Sequence, residues 1–121
     1  MKLKPEPFRM IRSGKKTIEL RLYDEKRQQL KVDDEIEFIC PEERQEPFTV
    51  RVLALHFFQS FAELYAALPL LKCGYTKETL AEASPDDMNR YYSPEEQAQY
   101  GVVGIEIERT GDDKAGTAAG Q

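Results

Sequence analysis

The chain has 121 residues and a net charge of −5, with 40% of its residues hydrophobic. That length fits one domain built on a single core, and no run approaches the roughly 18 apolar residues of a membrane span. The acidic balance excludes broad, non-specific nucleic-acid binding.

The start, Met1-Lys2-Leu3-Lys4-Pro5, lacks the apolar segment of a signal peptide, so a cytoplasmic location is expected. Pro5 and Pro7 predict an extended beginning, because residues before proline avoid the helical region. Phe8, Met10 and Ile11 then form the apolar side of a short helix. Arg9 and Arg12 lie on its wetter side, and Gly14 stops it. From residue 17 to residue 23 the pattern is that of a strand. Ile18, Leu20 and Leu22 share one face, and Thr17, Glu19 and Arg21 share the other. Asp24-Glu25-Lys26 is a polar turn. Ile36, Phe38 and Cys40 alternate with Glu35 and Glu37 in a second strand, which Pro41 closes. Residues 48–57 are the most β-prone segment, apolar on both faces as a central strand would be. His56, the only histidine, lies near its end and reads as structural.

Ser60-Phe61-Ala62-Glu63 is a capping box that opens a helix to about Leu68, stopped by Pro69. Gly74 turns the connector that follows. Thr76 heads a second helical piece to about Ala83, and Ser84-Pro85-Asp86-Asp87 opens a third. Ser93-Pro94-Glu95-Glu96 repeats that signature and runs to a stop at Gly101. Residues 102–108 form the last strand, with Val103, Ile105 and Ile107 on one face. From Thr110 onward Gly, Ala, Asp and Thr replace apolar residues, so a disordered tail over 110–121 is expected after a domain of residues 1–109. Cys40 and Cys73 have no metal-ligand spacing and are expected to be buried thiols. Helix, three strands, a helical insertion and a closing strand predict an α+β fold. It is either a small mixed β-barrel with covering helices or an open sandwich. Four strands are fewer than closure needs, so one or two short strands are expected within the loops.

Charge is unevenly placed. Residues 1–21 hold seven basic and two acidic groups, and the remainder holds ten basic and twenty acidic. A basic end on an acidic chain suits a focused anionic ligand better than a long duplex. Gly14-Lys15-Lys16-Thr17-Ile18-Glu19-Leu20-Arg21 concentrates that chemistry. Glu19 and Arg21 project side by side from the strand, and the turn can swing the Lys16 ammonium to the same place. This group reads either as a polar site for phosphate, sugar or base edges, or as a solvated strand start with an incidental ion pair.

Gly14, Lys16, Glu19 and Arg21 fit a Gly-x-Lys-x-x-Glu-x-Arg signature, and in this the chain resembles the ASCH family of PUA-like β-barrel proteins. The resemblance extends to Lys31-Val32-Asp33-Asp34-Glu35-Ile36, which looks like the family's turn before its second strand. Asp33 stands where the family usually has glycine, and aspartate tolerates the left-handed backbone better than most residues. It extends again to the strand after Tyr100-Gly101-Val102-Val103-Gly104-Ile105.

The resemblance implies a small PUA-like barrel that binds single-stranded RNA, a nucleotide or a nucleoside in a cleft between barrel and helices. Lys16 would supply a point charge for phosphate and Arg21 a planar fork for phosphate oxygens or a base edge. Glu19 would accept from ribose hydroxyls or amino groups, or hold Arg21 in place. Arg9 joins the candidate ligand set. So do Tyr91 and Tyr92, with Tyr75 and Tyr100 as further aromatics able to stack on an unpaired base; packing is the competing role of all four. Some relatives are amidohydrolases of acetylated cytidine or small ribonucleases, which would make Lys16 and Glu19 catalytic. In the amidohydrolase type a threonine stands where this chain has Glu19, and a carboxylate cannot take over from a hydroxyl nucleophile with the mechanism unchanged. A protein-interaction domain using acidic residues 76–100 is a third possibility. No zinc ligand set, Walker loop or dinucleotide fingerprint is present, so neither metal nor cofactor is expected.

Overall fold

The computed structural model describes residues 1–110; apart from Thr110, the expected tail of residues 110–121 lies outside the described residues. The elements run α1 (Pro5–Arg12), β1 (Ile18–Leu22), β2 (Glu35–Phe38), β3 (Phe48–Phe58), α2 (Phe61–Ala67), α3 (Pro94–Tyr100) and β4 (Val102–Arg109), with short 3-10 turns between several of them. The strands form one antiparallel sheet in the order β1-β4-β3-β2. It curls into a half-barrel of α+β class, as the sequence predicts. The extra strand-like piece is the N-terminus itself, where Lys2 bridges Ile39 in parallel beyond β2.

β3 owes its two apolar faces to a register shift between Val52 and Ala54. Before the shift Phe48, Val50 and Val52 point inward; after it Leu55 packs on the same core. The inner core joins these to Phe38 of β2, to Val103, Ile105 and Ile107 of β4, and to Phe8 and Ile11 of α1. The Phe8 and Phe48 rings are 5.0 Å apart at their centroids.

A second core lies on the other face of β1 and β4, where Ile18, Leu20, Leu22 and Val102 meet Phe61 and Leu64 of α2 together with Cys73 and Met88. Gly104 makes this contact possible, because a Cβ there would lie 2.7 Å from Leu68 Cδ1. β1 is thus apolar outward and polar inward, which leaves Glu19 and Arg21 on the barrel's inner side.

Three local expectations are corrected. α1 begins at Pro5 rather than after an extended stretch, because the first helical turn has no internal partner for the amides that proline lacks. Residues 76–83 form no second helix. Thr76 and Thr79 bond each other's backbone and side chains, and only Leu80–Glu82 makes a 3-10 turn. The capping box at Ser84 is present but opens a 3-10 turn over Pro85–Arg90. By contrast Ser93 caps a true α-helix up to Gly101, and Asp33 takes the left-handed conformation at φ 78°.

Candidate functional site

β1 is an edge strand with β4 as its sheet neighbour, so its other edge faces a seam in the curled sheet. Across that seam lies the N-terminal segment. A cleft of about 850 Å³ runs along it, lined by Lys2, Leu3 and Lys4 on one lip and by Lys16, Glu19, Leu20 and Arg21 on the other. Tyr65, the loop 73–75 and residues of 79–92 wall it from the helical side. Ligand sites commonly have volumes of about 300–1,000 Å³.

The chain bends sharply into this site. After α1 the amides of both Lys15 and Lys16 donate to the Met10 carbonyl, and the Thr17 amide donates to Lys72 O. Gly14, at φ 84°, permits the bend. Lys16 is thereby folded back against β1, buried to 9% exposure, with its Nζ 2.9 Å from Glu19 Oε1. Arg21 Nε donates to the other carboxylate oxygen at 2.7 Å. One carboxylate is shared by two cations, giving a nearly buried triad with one net positive charge.

Burial alone would push the Glu19 carboxyl up, but Lys16 and Arg21 outweigh it and hold it below the ordinary range. Arg21 responds in the opposite sense: burial lowers it and Glu19 more than offsets that. Its Nη2 also donates to the Lys2 carbonyl at 2.9 Å, and the Tyr92 hydroxyl adjoins it. Arg21 is therefore largely occupied as a clamp. Lys16 is different. Among the described residues its ammonium has Glu19 as its one partner, which leaves donor capacity on a lysine that lines the cleft.

Of the aromatic candidates, Tyr91 lines the cleft and is 53% exposed. Tyr92 also lines it, but its ring stacks on Phe61 at 6.2 Å. Tyr75 is present too, whereas Tyr100 is not among the lining residues. Arg9 is not brought to the site: it lies on the outer side of α1, ion-paired with Glu43 in the loop after β2. His56 pairs with Glu106 at 3.0 Å, away from the cleft.

Sequence reasoning missed Tyr65 and underrated Asp87. Tyr65 and Tyr75 hydroxyls are 2.7 Å apart, and Tyr75 donates to Asp87 Oδ2 at 2.7 Å. A tyrosine on α2 carries no signal of where its hydroxyl ends, and Asp87 has a sufficient explanation as a cap. Gly74, read as a turn, has a second role. A Cβ there would come within 3.3 Å of Lys16 Cδ, so the loop backbone forms one wall of the lysine's slot. Cys73 beside it is buried, and burial first of all pushes its thiol up to about 11. Among the described residues no group of three or more His, Cys, Asp or Glu side chains could hold a metal, and no helix is long and apolar enough to cross a membrane.

The ASCH domain profile matches residues 1–111. A crystal structure of the hypothetical protein PH0355 is 32% identical and superposes with a TM-score of 0.72, covering 91% of this chain and 96% of that one. The solution structure of protein PF0455 from Pyrococcus furiosus is 34% identical with a TM-score of 0.68, covering 92% and 96%. No curated protein matches the chain. Signature, fold and profile agree: the chain belongs to the ASCH domain family.

Proposed function

We propose that the cleft binds a nucleotide or a short single-stranded RNA segment, with Lys16 as the phosphate contact. The observation that carries this is a nearly buried ammonium, paired with Glu19 alone, in the lining of a cleft of about 850 Å³. Its charge is only half compensated, because Glu19 is divided between Lys16 and Arg21. Tyr91 at the rim supplies an exposed ring for a base.

The rest of the lining limits ligand size. Five cations and five carboxylates line the cleft, so it carries no net charge. A long polyanion gains little there, whereas one phosphate at Lys16 gains a local interaction. Arg21 and Glu19 hold Lys16 in place rather than contacting the ligand.

The same geometry weakens the hydrolase alternative. A general base needs proton affinity near the working pH, and Glu19 is held below the ordinary carboxylate range by its two cations. The Cys73 thiol, raised to about 11, is a poor nucleophile at neutral pH.

Titration of the four ribonucleoside 5′-monophosphates and a short single-stranded RNA into wild type and Lys16→Ala tests the proposal. Loss of one charge-assisted contact predicts roughly tenfold or greater weakening. The logarithmic salt slope should be shallow, near one phosphate contact. Unchanged affinity in Lys16→Ala would refute it, and turnover of acetylated cytidine or RNA that survives a chelator would replace it with the enzyme reading.

A further inference from the structure

The helical side of the cleft has free valences that the triad does not explain. Asp87 Oδ2 accepts from the Tyr75 hydroxyl at 2.7 Å and from the Ser84 amide at 3.2 Å. The Tyr75 hydroxyl, first among the causes, holds the Asp87 carboxyl below its ordinary range, so the carboxylate only accepts. Tyr75 has a single hydroxyl proton and gives it to Asp87. Tyr65, 2.7 Å from Tyr75 Oη, must then be the donor to it. Every proton in the chain Tyr65–Tyr75–Asp87 points towards the carboxylate.

What remains on that chain of three residues is acceptor capacity. Among the described residues nothing hydrogen-bonds Asp87 Oδ1 or donates to Tyr65 Oη, and both residues line the cleft. Lys16 lines the same cleft, and the Gly74 backbone, next to Tyr75 in sequence, packs against it: a Cβ there would lie 3.6 Å from Lys16 Nζ. A ligand satisfying both carries an anion at one end and hydrogen-bond donors elsewhere in the same cleft. Glu19 is the less available acceptor, since it is 5% exposed and already holds a cation on each oxygen.

We propose that Tyr65 and Asp87, aligned through Tyr75, determine sugar specificity by accepting hydrogen bonds from the ribose hydroxyls of a nucleotide whose phosphate lies at Lys16. This rests on the nucleotide reading above. A vicinal diol offers two protons to two acceptors; a 2′-deoxy sugar offers one fewer and leaves one acceptor without its partner.

The test compares each ribonucleoside 5′-monophosphate with its 2′-deoxy counterpart, titrated into wild type, Tyr65→Phe and Asp87→Asn. Wild type should favour the ribose form by about tenfold. Tyr65→Phe keeps the ring and the Tyr75–Asp87 bond, and whichever of the two variants removes the acceptor of the 2′ hydroxyl should bring that ratio close to one. Equal binding of both sugars by wild type overturns the inference and leaves the nucleotide reading standing. So does an equal loss for both sugars in the variants, which is the mark of a chain that only braces the helical segment. A preference following base amino groups instead of the sugar also overturns it. Failure of wild type to bind any of these nucleotides removes both readings together.

Discussion

Arg21 and Lys2 are tied across the seam of the half-barrel: the guanidinium Nη2 on β1 donates to the Lys2 carbonyl, 19 residues away in sequence, at 2.9 Å. No backbone ladder joins these two edges, so a side chain completes what strand pairing leaves open. The same guanidinium holds Glu19 through Nε at 2.7 Å. A lysine cannot make both bonds, because its ammonium is a single point and the two acceptors need a planar fork. Arg21→Lys is expected to destabilise by about 1–2 kcal/mol, and Arg21→Ala by about 3 kcal/mol, since it also strips a cation from a buried carboxylate. Urea midpoints at constant slope measure both. A loss below a few tenths of a kcal/mol would show that the seam needs no tie.

Glu19 gives stability a defined acid limb. Its folded pKa is depressed, so its contribution is present in full above the ordinary value of 4.5. It is lost as pH falls through the lower folded value, where protonation leaves Lys16 and Arg21 without their counter-charge. Glu19→Gln removes that charge at every pH. At neutral pH it should cost about 3 kcal/mol, and the gap from wild type should shrink as pH drops below 4.5. Urea titrations from neutral to acid pH check this. A gap that stays constant through the acid range assigns the acid limb to other carboxylates.

The sequence made the strands and the triad legible for one reason. Period-two alternation places Ile18, Leu20 and Leu22 against the helical layer and leaves Glu19 and Arg21 together on the inner side. The turn at Gly14 then accounts for Lys16. What was not legible depends on distant packing. Arg9 looked like part of the basic site, but Glu43, 34 residues away, takes its charge. Residues 76–90 carry helix-capping signals at Thr76 and Ser84, yet they fold as turns and 3-10 segments. Tyr65 meets Asp87 through Tyr75 only because that irregular segment returns over α2, and no spacing rule encodes such a return.

Cys73 should be an inert thiol despite its place at the cleft. It is 4% exposed, and burial pushes it up to about 11. At pH 8 only about one molecule in a thousand carries the thiolate that alkylating reagents attack. Native protein treated with N-ethylmaleimide should therefore label slowly at this residue, and rapidly once urea exposes it. Peptide mapping by mass spectrometry reads both rates. Fast native labelling at pH 8 would mean that the loop 70–75 opens readily, and with it the wall beside Lys16.

Gly74 and Gly14 provide a paired test of how Lys16 is held. Both have positive φ, 111° and 84°, so alanine is strained at either position. Each substitution should cost about 1–2 kcal/mol of stability on that ground alone. The surroundings differ. A Cβ at Gly14 meets nothing within 4 Å, whereas one at Gly74 is tight against Lys16 Cδ at 3.3 Å and in ordinary contact with its Nζ and Cε at 3.6 and 3.7 Å. The lysine must shift by a few tenths of an ångström to admit that new methyl, and its bond to Glu19 shifts with it. Gly14→Ala is therefore expected to lower stability and leave nucleotide affinity within about twofold, while Gly74→Ala lowers both, with affinity falling about fivefold or more as the ammonium is displaced. Denaturant midpoints and nucleoside monophosphate titrations on the same samples separate the two effects. If the variants lose affinity equally, the Gly74 backbone does not position the lysine, and its positive φ serves the loop alone.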